Sequence, residues 1–139
     1  MATAARILIV DDEPNVRLMF RTALEAVGHT VIEAEEGEAA LAALHAAPTD
    51  LVLLDLRMPR MDGRATLRRM RDEGITTPVV IVTAHGSIRD AAEAMKSGAI
   101  DFLQKPLRPE ALREVVARAL GRADPEMAEY DPRHPRPRF

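Results

Sequence analysis

Five polar residues follow directly on apolar runs of strand length: Asp11 and Asp12 after I-L-I-V, Asp55 after L-V-L-L, Thr83 after V-V-I-V, and Lys105, with Gln104, after A-I-D-F-L. Three carboxylates, a hydroxyl and an ammonium can hold a hard divalent cation and a phosphoryl group. If the carboxylates converge, their repulsion raises at least one pKa unless cations neutralise them. Magnesium takes oxygen ligands, keeps several waters and relies on few carboxylates, so one Mg²⁺ with the Lys105 ammonium balances the three negative charges. A carboxylate needs no general base to act as a nucleophile, and aspartyl phosphate is an established type of covalent intermediate. Phosphoryl transfer asks mainly for alignment and charge neutralisation. On that chemistry Asp55 is the candidate acceptor, Asp11 and Asp12 hold the metal, and Thr83 and Lys105 read the phosphate.

Each residue also has a plainer use. Asp55 alone is the first polar residue of a loop. Asp11 to Glu13, just ahead of Pro14, suit a helix N-cap and its dipole. Thr83 can be an ordinary strand-end hydroxyl, and Lys105 a solvated lysine. The constellation carries the argument, because the types recur at four strand ends.

The elements that must position them are legible as an alternation. Strand-length apolar runs lie at 7–10, 30–34, 51–54, 79–82 and 99–103, short and aliphatic as in a buried parallel sheet. Between them, helical spacing links Val16, Phe20, Ala23 and Val27; Leu41 and Leu44; Leu67 and Met70; Ile88, Ala91, Ala92 and Met95; and Leu112, Val115, Val116 and Ala119. Pro14 and Pro109 suit first helical turns, Gly28, Gly74, Gly98 and Gly121 suit helix ends, and Ser87 with Asp90 resembles a capping box. The expected fold is α/β, a (βα)5 doubly wound parallel sheet with right-handed crossovers. With strand 2 outside strand 1, the known order 2-1-3-4-5 sets strands 1 and 3 side by side where the winding reverses. Asp11, Asp12 and Asp55 then share one crevice.

A chain of 139 residues suits one domain. The absence of cysteine excludes disulfides, Cys-ligated zinc and thiol catalysis. No apolar run approaches the ~18 residues of a membrane span, and the N-terminus lacks a secretory pattern; a cytoplasmic setting is the default. A net charge of −3 gives no global attraction to nucleic acid or anionic membrane. The Arg64, Arg68 and Arg71 stripe is read as a solvated face, and His29, His45 and His134 as surface residues. Residues 121–139, rich in Pro and Arg, are expected to be a disordered tail or linker stub after a domain at 1–120.

The segments I-L-I-V-D-D-E-P, L-L-D-L-R-M-P-R-M-D-G, I-V-T-A-H-G and F-L-Q-K-P resemble, over residues 5 to 120, the receiver domain of bacterial response regulators in two-component signalling. T-A-H-G-S-I and A-M-K-S-G-A-I-D-F resemble receivers of nitrogen-regulation-type transcriptional activators. The resemblance implies a flavodoxin-like three-layer sandwich. It also implies phosphorylation of Asp55 by a sensor histidine kinase or phosphotransfer protein, with Mg²⁺ bound by Asp11, Asp12, Asp55 and the main-chain carbonyl of Arg57.

A switch is implied too: Thr83 moves toward the phosphate and Phe102 follows inward, altering the face of helix 4, strand 5 and helix 5. Phe102 lacks the hydroxyl of the more usual tyrosine. By the same resemblance, Arg57 and His85 tune phosphate lifetime, the Lys105-Pro106 bond is cis, and Gly63 closes the turn beyond Asp55. The partners implied are the kinase, a downstream effector or attached output domain, and a homodimer formed on phosphorylation.

Such a protein assists its own phosphorylation without being a conventional enzyme. The chain is read either as a complete regulator or as the N-terminal receiver of a longer DNA-binding one. An aspartyl-phosphate phosphatase resembling the haloacid-dehalogenase family would carry D-x-D after strand 1, where this chain has D-D-E-P. A flavodoxin-like cofactor binder would need a phosphate-cradling loop there.

Overall fold

A computed structural model describes residues 4–58, 60–84 and 86–123. Five strands alternate with five helices: β1 (Arg6–Val10), α1 (Pro14–Glu25), β2 (Thr30–Ala34), α2 (Gly37–Ala46), β3 (Leu51–Leu54), α3 (Gly63–Asp72), β4 (Val79–Thr83), α4 (Ile88–Lys96), β5 (Asp101–Gln104) and α5 (Pro109–Ala123). The strands form one parallel sheet in the order β2-β1-β3-β4-β5. The order expected from the polar strand ends is the one adopted.

Strand alternation divides the core in two. Ile7, Ile9, Leu51, Leu53, Val80 and Val82 face one helical layer, where Phe20 and Leu24 of α1 and Leu112 and Val116 of α5 pack. Leu8, Val10, Val52, Leu54, Val79 and Ile81 face the other, met by Leu41 of α2, Leu67 and Met70 of α3 and Ala94 of α4. The central strands must therefore be apolar on both faces, which is why L-V-L-L shows no polar alternation.

Helix ends are chemically marked. Glu36 caps α2 through the N–H groups of Glu38 and Ala39, Asp62 caps α3 through Ala65, and Ser87 and Asp90 form the expected capping box of α4. Gly28, Gly74 and Gly98 take positive φ after α1, α3 and α4. Gly121 does not end a helix, since α5 runs through it to Ala123. Residues 124–139, with His134 and most of the expected tail, lie outside the described residues.

Several local expectations are corrected. The buried residue of α4 is Ala94, while Ile88 is 91% and Met95 46% exposed and Ala92 faces solvent. The small Ala94 sits close to the sheet, and the bulkier Ile88 and Met95 lie outside. Val27 is exposed because α1 stops at Glu25. β5 starts at Asp101, not 99, because the Ala99 N–H still closes α4 on the Ala94 carbonyl. Arg71 is not a solvated residue: its guanidinium donates to the carbonyls of Ile75, Thr77 and Gly98, tying the α3–β4 loop to the end of α4.

His29 is buried, contrary to its surface reading, and its Nδ1 accepts from the Ala5 N–H at 3.1 Å. Burial holds its pKa below the ordinary 6.5. The folded state thus binds fewer protons at this site than the unfolded chain, so the contribution of His29 to stability is complete above about pH 6.5 and declines as pH falls below it. His29→Asn, whose Oδ1 can stand for Nδ1, should lose less stability on acidification from pH 8 to pH 5 than the wild type. Thermal unfolding at both pH values checks this, and equal losses would refute it.

Candidate functional site

The last register pair of β1 and β3 is Val10 with Leu54, and the Asp55 N–H donates to the Val10 carbonyl at 3.0 Å. Asp11 and Asp55 therefore leave the sheet side by side. Both are nearly inaccessible, at 2% and 3% exposure, so both need partners. Each uses its oxygens in the same way. Oδ1 of Asp11 accepts from the Glu13 N–H at 3.0 Å, and Oδ1 of Asp55 accepts from the Arg57 N–H at 3.1 Å. Oδ2 of each accepts from the Lys105 ammonium, at 2.7 Å from Asp11 and 3.1 Å from Asp55.

Burial, with repulsion from Asp55 adding to it, holds the Asp11 carboxyl above the usual carboxylate value against the opposing pull of Lys105. Burial also works against the Lys105 charge, but its hydrogen bonds and attraction to Asp11 and Asp55 outweigh that and raise its pKa. The lysine is held as an ammonium by the acids it bridges.

Glu13, not Asp11, occupies the N-cap of α1, and no side chain caps that helix. Asp55 is buried against Lys105 instead of entering a solvated loop, and only a tenth of the Lys105 side chain is exposed.

Asp12 and Glu13 are exposed at the mouth of the crevice. Ligand oxygens of Asp11, Asp12, Glu13 and Asp55 all lie within 4.8 Å of one another. An all-carboxylate set fits a hard cation such as Mg²⁺ better than a softer metal. Glu13 was missing from the ligand set read in the sequence, although its place beside Asp11 and Asp12 was visible there.

Thr83 is fully buried at the end of β4, and its carbonyl accepts from the Lys105 N–H at 2.9 Å. Register with Gln104 puts it on the same sheet edge as Lys105, and Leu54 opposite Ile81 sets it just beyond the level of Asp55. The Lys105-Pro106 bond is cis. Phe102 is half buried against the second core cluster, with its ring where a Cβ on Gly86 would overlap it. Gln104 Nε2 donates to the Gly86 carbonyl at 3.0 Å, fastening the β4–α4 loop to β5. His85 lies outside the described residues.

These features define an α/β domain whose acidic crevice sits at the switch point of a doubly wound sheet. The response regulator receiver domain matches residues 7–117, and the chain belongs to that family. It is 44% identical over 117 residues to the two-component response regulator ORR41 of Oryza sativa subsp. japonica, covering 81% of this chain and 92% of that protein. It is 42% identical over 120 residues to regulatory protein AtoC of Escherichia coli, covering 86% of this chain but only 26% of that one. The crystal structure of NtrX from Brucella abortus superposes with a TM-score of 0.82 at 36% identity, over 87% of this chain and 28% of that chain. This is therefore a receiver domain of the two-component response regulators, with nitrogen-regulation-type activators among its relatives. It spans about a quarter of the length of AtoC and of NtrX. Among the described residues no helix is long and apolar enough to cross a membrane.

Gly63 fixes the loop that returns from Asp55. Its N–H donates to the Leu56 carbonyl at 2.9 Å, and an added Cβ would overlap the Asp55 carbonyl oxygen and stand 2.7 Å from Leu56 Cα. Backbone cannot yield as a flexible side chain does. Gly63→Ala should destabilise the domain by about 1–3 kcal/mol, the usual cost of overpacking. Chemical denaturation measures it, and a loss under about 0.5 kcal/mol, the range of neutral surface changes, would show that the loop adjusts.

Proposed function

We propose that Asp55 is the phosphoacceptor of this receiver, taking its phosphoryl group from a histidine kinase, a phosphotransfer protein or a small phosphodonor. The observation that carries this reading is the Lys105 ammonium shared between Asp11 and Asp55 at the carboxyl edge of β1 and β3. An acid so placed stands beside a fixed cation and is backed by a buried strand.

Asp11, Asp12 and Asp55, with the main-chain carbonyl of Arg57, are the residues to hold Mg²⁺, and Glu13 is close enough to join through water. When bound, the ion neutralises the acids and the oxygens of the incoming phosphoryl group. A carboxylate oxygen of Asp55 forms the new bond to phosphorus as the phosphorus–nitrogen bond of the donor phosphohistidine breaks and the imidazole leaves with the electron pair. Lys105 pairs with the transferred phosphoryl oxygens, and the Thr83 hydroxyl donates a hydrogen bond to them.

Thr83 and Phe102 then carry the change toward α4, β5 and α5. Phe102 does so by packing alone, having no hydroxyl to bond. Arg57, exposed beside Asp55, tunes the access of attacking water, as His85 does by its position in the sequence. The altered face acts on a downstream effector, an attached output domain or a second copy of the chain. ORR41, matched over nearly its whole length, and AtoC, matched over a quarter, favour neither form of output.

Incubation with Mg²⁺ and acetyl phosphate, read by intact-mass spectrometry, should show one phosphoryl group on the wild type and none on Asp55→Asn. Phosphorylation of that variant at the wild-type level would refute the assignment. Size-exclusion chromatography of the same samples tests for the dimer. Arg57→Ala should alter the decay rate of the phosphorylated protein more than the extent of its labelling. An unchanged decay constant would remove Arg57 from that role.

A further inference from the structure

Asp11 and Asp12 are consecutive residues at the end of a strand, yet their carboxylate oxygens fall within one 4.8 Å cluster. An extended chain sends neighbouring side chains to opposite faces. The backbone must therefore turn between them, and something must hold that turn. The Asp11 N–H is fixed on the Ala34 carbonyl at 3.1 Å, and its side chain by the Glu13 N–H and Lys105. Its carbonyl, which with the Asp12 N–H makes the peptide plane joining the two acids, accepts from Arg17 Nη1 at 2.6 Å.

Arg17 is braced in turn. Its Nε donates to Glu33 Oε1 on β2 at 2.9 Å, and only 14% of its side chain is exposed. Glu33 lies opposite Ile9 in the β1–β2 register and on the same face as buried Val31. The other carboxylate oxygen of Glu33 pairs with Arg21, whose Nη2 holds the Val31 carbonyl at 2.8 Å. The guanidinium thus joins α1, β2 and the acidic loop, with its charge matched by Glu33 and not by the site.

We infer that Arg17, braced by Glu33, is a positioning residue for divalent-cation binding, fixing the Asp11–Asp12 peptide so that both carboxylates meet one ion. This rests on the reading of Asp11 and Asp12 as metal holders. Positioning and electrostatics predict opposite signs. Removing a cation near an acidic site tightens Mg²⁺ binding by Coulomb's law, whereas releasing the peptide weakens it. Loss of outer partners that orient metal ligands commonly costs about 10–100-fold in affinity.

The test is calorimetric titration of the full chain with Mg²⁺ alone, at a temperature where thermal unfolding shows each variant to be folded. Arg17→Met should bind about tenfold more weakly or worse, despite having lost a positive charge. Arg17→Lys, which keeps the charge but cannot fork between the Asp11 carbonyl and Glu33, should lose a similar factor, and it carries the prediction alone if Arg17→Met does not fold. Arg21→Met, which breaks the outer part of the same network without reaching Asp11, should stay within about twofold, below the range set by loss of an orienting partner. Affinity in Arg17→Met or Arg17→Lys equal to or tighter than wild type would overturn the inference while leaving the metal site standing. A wild type that takes up no Mg²⁺ would instead overturn the functional reading itself.

Discussion

Two buried aspartates share one ammonium, and the arrangement of the domain can be followed outward from that pairing. Lys105 offsets one of the two charges, and Asp12 and Glu13 add more at the crevice mouth, so the site is left short of positive charge. Packing carboxylates this closely costs free energy. The fold tolerates it because each acid is also tied to a backbone N–H two residues on and stands at the end of a strand it cannot leave. A bound cation would relieve this crowding, which is what the proposed site uses.

The apolar strands serve this arrangement mechanically. Leu51 to Leu54 are buried on both sides of the sheet, locked between the α1/α5 and the α2/α3/α4 layers. A strand so held has few alternative positions, because interiors are close-packed and resist displacement. Gly63 extends the constraint past Asp55 by bringing the start of α3 against the Asp55 backbone. Asp55 is held on both sides along the chain.

Beyond β4 the packing loosens. β5 is an edge strand of half-buried residues, and α4 meets the sheet mainly through Ala94 while Ile88 and Met95 stay exposed. Elements with few buried apolar contacts open at lower free energy than a core strand. Thr83, Gly86, Phe102 and Gln104 join this looser region to the site through β4 and its following loop. A change in charge at Asp55 meets stiff packing on one side and compliant packing on the other, and the compliant side is where a structural response costs least.

Much of this was legible in the residues alone. Strand-length aliphatic runs, proline and glycine at helix boundaries, and acids, a threonine and a lysine at strand ends determined the alternation, matched it to a known sheet order and pointed to Asp11, Asp12, Asp55, Thr83 and Lys105 as one group. Those features are local or periodic, and strand-length apolar runs and helix-boundary residues can be read without knowing a distant partner. Tertiary structure alone decided which of two apolar stripes α4 buries, that His29 and Arg71 are anchors, that α5 passes through Gly121, and that Arg17 reaches back to the Asp11 carbonyl. These depend on what a distant segment places opposite: the sheet for Ala94 of α4, the Ala5 N–H for His29, and loop carbonyls for Arg71 and Arg17. Sequence spacing encodes how a residue repeats along its own element. It does not encode which partner the fold will bring to it.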